Sequence, residues 1–205
     1  MTIALQHIEA AAQRIEPYIH RTPVLTNRSL DARMDAQVFL KCENLQKVGA
    51  FKFRGACNAV FSLTKDEAAY GVATHSSGNH AQALARAAGL RGIPAYIVMP
   101  ENAPAVKKAA VAGYGGLITF CEPTLEARER TLAEVVNKTG AIVVHPYNDA
   151  RVIAGQGTVA LELLEEIRDL DMVIAPVGGG GLLSGTAIAV TELNKVSRVI
   201  GAEPE

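Results

Sequence analysis

Apolar and polar positions along this chain follow two rhythms in turn. Residues 2–16 carry apolar side chains at helical spacing (Ile3, Leu5, Ile8, Ala11, Ala12 and Ile15), and Pro17 closes the run. Residues 20–25 read as extended, because the residue before Pro23 avoids the helical region. A strand is predicted over 37–43 and a helix over 52–63. Beyond them, short apolar runs alternate with longer amphipathic ones. The strands fall at 72–75, 95–99, 117–121, 141–144, 172–176 and 198–202. The helices fall at 79–88, 103–112, 124–139, 151–168 and 182–193, the first three stopped by Gly89, Gly113 and Gly140 in the left-handed position that suits glycine. Strands alternating with helices of ten or more residues predict an α/β fold of open parallel sheets with right-handed crossovers. The uninterrupted apolar strands predict sheets covered on both faces. No repeat or low-complexity linker breaks the pattern.

Composition narrows the functional classes. A chain of 205 residues, 49% hydrophobic and 20% charged, has the makings of one large domain or two small ones with a real core. A net charge of −1 without a local Lys/Arg cluster argues against nucleic acid or an anionic membrane as partner. Cys42, Cys57 and Cys121 are odd in number, widely spaced and without a C-x-x-C pattern, and read as free thiols in a reducing compartment. Gln6, His7, Glu9 and Arg14 make the N-terminus unlike a signal peptide. The uncharged run 172–191 is broken by Pro176 and four glycines, so it reads as strand, turn and helix rather than a membrane span. The expectation is a cytoplasmic protein.

Four segments carry candidate chemistry. In the first, 44–56, Lys52 stands between Phe51 and Phe53 with Gly49 and Gly55 close by, where a strand gives way to a helix. Among apolar neighbours a lysine loses hydration, its pKa falls and its amine becomes a nucleophile. The structural alternative is a helix-start lysine that snorkels to water. In the second, Thr74-His75-Ser76-Ser77-Gly78-Asn79-His80 runs from a strand into a helix and offers hydroxyls, an amide and unpaired N–H groups to an anion such as a carboxylate. A simple Ser/Asn cap needs fewer of these residues. In the third, Gly178, Gly179, Gly180 and Gly181 open a helix after a strand, an arrangement that converges backbone N–H groups on a phosphate. A tight turn would need only one glycine. In the fourth, Gly155 and Gly157 lie near a helix start, where close approach of a ligand and close packing of another element are equally compatible with the sequence. No histidine pair has metal spacing and no G-x-S-x-G elbow is present. A reactive lysine, a phosphate cup and an anion-binding loop together point to pyridoxal 5′-phosphate (PLP) and an amino-acid substrate.

With these motifs the chain resembles the fold-type II PLP enzymes (tryptophan synthase β-like), specifically the serine/threonine dehydratase and serine racemase group. The resemblance runs through residues 41–46, 49–56, 76–82, 153–158 and 176–182, in that order. It implies a discontinuous large PLP-binding domain, 1–61 and 148–205, around a small inserted α/β domain, 62–147. Lys52 would be the Schiff-base lysine and the base on one face of the cofactor. Phe51 would pack on the pyridine ring, Asn79 would bond the ring hydroxyl, and Gly178 to Gly181 would hold the phosphate. Ser77 resembles the residue that exchanges a proton on the opposite face. Ser76, Asn79 and His80, largely through backbone, would bind the substrate carboxylate. Glu203 matches a family position for a divalent cation such as Mg2+. The implied reaction is α,β-elimination of a β-hydroxy amino acid to a 2-oxo acid and ammonia, with racemisation beside it, in a homodimer. Position 50 is alanine where serine is commonest in the group. Relatives run considerably beyond residue 205, which implies that the rest of the larger sheet, the group facing the pyridine nitrogen and further cation ligands lie outside this chain. A β-replacement enzyme of the cysteine-synthase type, and a PLP-binding chain without turnover, are the competing readings. The Ser-Ser-Gly-Asn-His loop favours the dehydratase side of the first choice.

Overall fold

The computed structural model describes residues 2–204; Met1 and Glu205, which bound the expected large domain, lie outside the described residues. Helix α1 (Leu5–Ile15) buries Ile8, Ala11 and Ile15, one face of its helical period. Strand β1 (Val24–Thr26) then pairs with β2 (Phe39–Lys41), and the pairing is antiparallel, with Leu25 opposite Leu40. This departs from the all-parallel expectation. Between the two strands lies α2 (Arg28–Met34), capped by Asn27, whose side chain accepts from the Leu30 N–H. None of its residues is buried, so it leaves no apolar period to read.

The strand expected over 37–43 shortens to three residues, and two 3-10 turns (Glu43–Leu45 and Lys47–Gly49) lead into α3 (Lys52–Phe61). Val48 holds φ at +59°, a region that costs a β-branched residue on the order of 1–3 kcal/mol. Its neighbours enforce the geometry. The buried Gln46 carboxamide accepts from the His20 and Lys47 N–H groups at 2.9 and 3.0 Å and donates to the His20 carbonyl at 2.7 Å. The Lys47 ammonium donates to the Tyr18 carbonyl.

A short helix, α4 (Lys65–Ala69), opens with a Thr64/Glu67 capping box. It leads into a four-stranded parallel sheet in the order β5-β4-β3-β6: β3 (Val72–His75), β4 (Ala95–Pro100), β5 (Leu117–Cys121) and β6 (Ile142–Val143). Helices α5 (Asn79–Arg91), α6 (Ala105–Gly113) and α7 (Leu125–Thr139) form the crossovers. Two of the three glycine stops move. Gly89 lies inside α5, which ends at Gly92 (φ +71°), and Gly113 is the last residue of α6, with Gly115 (φ +82°) beyond it. Gly140 caps α7 at φ +73° as expected.

The last segment carries α8 (Ala150–Glu166), then β7 (Met172–Pro176) parallel to β8 (Arg198–Ala202), joined by α9 (Gly181–Leu193). Burial on both sheet faces holds for β3 and most of β4. It fails for β5, which exposes Leu117 and Phe120, and for β7, whose Ile174 is 62% exposed.

The glycines of the fourth motif serve packing. A Cβ on Gly155 would stand 2.6 Å from Gly55 Cα and 2.7 Å from the Arg54 carbonyl, so α8 crosses α3 backbone to backbone. On the other side, a Cβ on Gly185 would meet Ile153 O at 2.5 Å and Gly157 N at 2.6 Å, which seats α9 equally close. Helix α3 is therefore held against α8, with Phe53 fully buried and Lys52 half-buried at its first position.

Candidate active site

Helix α3 begins at Lys52, and an electrostatic anchor two residues on fixes where that helix sits. Arg54 has no exposed surface. Its guanidinium forks onto Glu162 (2.6 and 2.8 Å) and onto Glu43 (2.8 Å from both Nε and Nη2). Lys41 Nζ adds a third contact to Glu162, at 2.7 Å. Burial opposes ionisation of Glu162, but hydrogen bonds and charge from Arg54, then Lys41, outweigh it and hold the carboxyl below its usual range. The network ties β2 and the turn after it to α3 and α8. Sequence reading missed it, because partners 11 and 108 residues from Arg54 leave no local pattern.

Lys52 itself is half-buried. Burial lowers its pKa from the ordinary lysine value, the direction that frees the amine. Its Nζ lies 5.3 Å from the centre of the Phe51 ring and donates to the Pro146 carbonyl at 2.7 Å. The Ser/Asn loop leaves β3 and enters α5 at Asn79. The Ser76 N–H donates to the Val98 carbonyl, while Ser76 Oγ accepts from the Gly78 N–H at 3.3 Å. The first bond of α5 runs from the Gln82 N–H to the Gly78 carbonyl, so helix geometry leaves the Asn79, His80 and Ala81 N–H groups without intrahelical acceptors. Ser77 is half-buried and Asn79 exposed beside them.

The His80 ring does not join this anion-facing set. It is buried, Nε2 lies 3.1 Å from the Val144 carbonyl, and burial, only partly offset by that hydrogen bond, pushes its pKa down to about 4. Near neutral pH it is an uncharged ring, and its contribution to an anion site is the backbone N–H.

The glycine loop runs from β7 into α9, with Gly180 at φ +83° as the N-cap. The first bond of α9 joins the Ser184 N–H to the Gly180 carbonyl at 2.8 Å, so the preceding N–H groups have no intrahelical acceptor. Cβ atoms on Gly178 and Gly180 would meet nothing within 4 Å, which leaves open space above those peptides. A Cβ on Gly179 would fall 2.1 Å from Tyr147 Cγ, so this peptide lies directly against the tyrosine ring.

One segment touches all three motifs. Val144 accepts from His80 at the start of α5, Pro146 accepts from Lys52, and Tyr147 packs on Gly179 and Gly181. Two of its contacts are made by carbonyl oxygens, which no side-chain pattern announces.

Glu203 follows β8 and is exposed. No group of three or more His, Cys, Asp or Glu side chains suited to a metal occurs among the described residues. No helix among them is long and apolar enough to cross a membrane.

A desolvated amine, a glycine loop at one helix N-terminus and a polar loop at a second are the parts that a phosphorylated aldehyde cofactor would need. Comparison with known proteins agrees. The family described as "Pyridoxal-phosphate dependent enzyme" matches residues 15–205, and the chain belongs to that family. It is 54% identical over 198 residues to a serine racemase of Arabidopsis thaliana, covering 97% of this chain and 60% of that one. It is 58% identical over 196 residues to a beta-hydroxyaspartate dehydratase of Paracoccus denitrificans (strain Pd 1222), covering 96% of this chain and 62% of that one. The crystal structure of a serine racemase from Dictyostelium discoideum superposes with a TM-score of 0.97 at 51% identity, covering all of this chain and 66% of that one. The chain thus spans about three fifths of the length of the curated relatives it matches. The fold is that of the fold-type II PLP enzymes.

Proposed function

We propose that the protein carrying this chain eliminates water from a β-hydroxy amino acid such as L-serine or L-threonine, releasing a 2-oxo acid and ammonia, with racemisation as a second outcome. The observation that carries the reading is the convergence of Lys52, the Ser/Asn loop and the glycine loop on the single turn 144–147. In this reading Gly178 to Gly181 bind the cofactor phosphate through N–H groups and the α9 dipole. Phe51 packs on the ring, and Asn79 bonds its hydroxyl. When bound, PLP supplies the electron sink for the carbanion at the substrate α-carbon.

The protein supplies the rest. The free N–H groups of the Ser76-to-His80 loop hold the substrate carboxylate, and the neutral His80 ring adds no charge there. The Lys52 amine, its proton affinity lowered by burial, removes the α-proton. The bond from the β-carbon to the hydroxyl breaks, the hydroxyl takes up the proton that Lys52 removed from the α-carbon and leaves as water, and hydrolysis of the resulting enamine gives the oxo acid and ammonia. Ser77 is the proton carrier on the opposite face, which makes racemisation accessible to the same site. A cation at Glu203, a homodimeric assembly, and a small domain over 62–147 belong to the same reading. The last is supported by a four-stranded sheet drawn wholly from residues 72–143.

Reduction with borohydride in the presence of PLP, followed by peptide mass mapping, should give a pyridoxyl adduct on Lys52 that Lys52→Ala abolishes. Assays with serine, threonine and 3-hydroxyaspartate should then release ammonia and oxo acid in equal amounts. An adduct elsewhere, or an unchanged cofactor spectrum in Lys52→Ala, would overturn the lysine assignment. Oxo acid formed only when an external nucleophile is absent, with a substituted amino acid formed when one is present, would favour β-replacement instead.

A further inference from the structure

The turn that joins the three motifs is itself held by one titratable ring. His145 Nδ1 accepts from two backbone N–H groups, Asn148 at 2.9 Å and Tyr147 at 3.3 Å. A nitrogen that accepts twice carries no proton, so the neutral ring bears its hydrogen on Nε2. The ring also meets Tyr147 edge-on, with centroids 4.5 Å apart at 89°. These contacts fold residues 145–148 so that the Pro146 carbonyl faces Lys52 and the Tyr147 ring lies on Gly179. Among the described residues, neither amide has another recorded acceptor.

We propose that His145 is a positioning residue for the cofactor site, and that its protonation opens the 145–148 turn and releases both Lys52 and the glycine loop. Protonation converts Nδ1 from acceptor to donor, so two N–H groups and a third donor would point at one another. Both bonds then fail together, and with them the seat of Tyr147 on Gly179.

The groups facing His145 come from every side of the turn. Asp149 at the start of α8 favours a positive charge on the ring and Lys52 at the start of α3 disfavours it, while His145 in turn disfavours protonation of His75 at the end of β3 and of His80 at the start of α5. Burial adds to the disfavour and sets the net direction, a pKa below the ordinary histidine value. The sign follows. A group whose folded pKa is depressed contributes its stabilisation above the unfolded value of about 6.5, and that contribution is lost as pH falls through the folded value. The turn is therefore closed at neutral pH and opens in acid.

The inference rests on the cofactor pocket assigned above, though not on the substrate or reaction. Its test separates the two. In protein labelled with 15N, long-range imidazole spectra should show an unprotonated Nδ1 at neutral pH, and the Tyr147 and Asn148 amide resonances should titrate with the ring. This readout needs no cofactor. Borohydride trapping on Lys52 across pH should fall roughly tenfold per unit below that same midpoint, as for a one-proton event.

His145→Asn puts an amide oxygen where Nδ1 stands, so it should keep the adduct and lose the acid limb centred on the ring. His145→Leu should lose most of the adduct at every pH. Amides that ignore the imidazole titration would overturn the proposal, as would a His145→Asn profile identical to wild type. If wild type forms no adduct at any pH, the cofactor reading fails, and the amide titration alone decides the role of His145.

Discussion

Replacing Arg54 by methionine tests whether the buried charge network sets the stability of the lysine-bearing helix. Methionine keeps much of the length and removes the guanidinium, which makes four contacts of 2.6–2.8 Å to Glu43 and Glu162. The variant leaves two mostly buried carboxylates, with side chains 13% and 12% exposed; Glu162 keeps Lys41 and Glu43 keeps only the uncharged Thr22 hydroxyl, 2.6 Å away, among these contacts. Removing one partner of a buried ion pair costs about 3–5 kcal/mol. With a urea m-value of about 2–3 kcal/mol/M for a chain of this size, the midpoint should fall by about 1.5 M.

A pH series sharpens the test. Glu162 is held below the usual carboxylate range in the native protein, so its contribution is present above its unfolded pKa of about 4.3 and is lost as pH falls through the lower folded value. The variant lacks the Arg54 share of that contribution, so the gap between the two proteins should narrow in acid. Urea unfolding followed by far-UV circular dichroism at pH 7 and pH 4 measures both quantities. A loss below about 1 kcal/mol at pH 7, or a gap that stays constant down to pH 4, would refute the reasoning. Arg54→Lys should recover part of the loss, since it restores charge without the planar fork.

Gly185→Ala drives a methyl against the Ile153 carbonyl and the Gly157 backbone at 2.5–2.8 Å, so α8 and α9 must part. A cost of about 1–3 kcal/mol should lower Tm by roughly 3–10 °C, read by calorimetry. Gly178→Ala meets nothing within 4 Å and should leave Tm nearly unchanged. Its methyl enters the space above the loop peptides, so PLP affinity should drop about tenfold, as when one hydrogen bond to a charged group is lost. Fluorescence titration of the cofactor measures it. Cys57 has no exposed surface, and burial pushes its thiol up to about 12, so iodoacetamide at pH 8 should leave it unmodified in the folded protein. Peptide mapping that finds Cys57 labelled without denaturant would contradict this.

The strands 72–75, 117–121, 172–176 and 198–202 stand where the apolar runs put them, because short apolar runs bounded by glycine, proline and polar turns are too short for a helix and suit an extended element, whether or not both faces end up buried. Helix α2 escaped because it buries nothing; the extended run 20–25 and the strand over 37–43 were legible in part, but not that β1 and β2 within them pair antiparallel with each other. Gly89 was misplaced as a stop because helix α5 continues through it to a true left-handed glycine three residues on. The site was legible where chemistry is written in side chains: Lys52, the Ser/Asn loop and the glycine run. It was illegible where carbonyl oxygens do the joining, at Val144 and Pro146, and where a ring nitrogen shapes a turn, at His145. Nor did the sequence distinguish ligand from packing at Gly155. A glycine that admits another backbone looks the same in one dimension as a glycine that admits a phosphate.

The crossing of α3 on α8 has a consequence in time. The Gly55 N–H reaches the Gln156 side chain across 101 residues of chain. At the ribosome's pace of about 5–20 residues per second, α3 is made roughly 5–20 s before the helix that covers it. During that interval the parallel sheet from β3 to β6 is completed, since its partners are close in sequence. Helix α5, made within that interval, already shares an apolar cluster with α3 around Phe53, but the face that crosses α8, with the wholly buried Arg54, waits uncovered until α8 emerges. The helix bearing Lys52 is thus seated only once α8 has been made, with the glycine loop following later still, and newborn chains interrupted between α3 and α8 would display that uncovered face to chaperones and proteases.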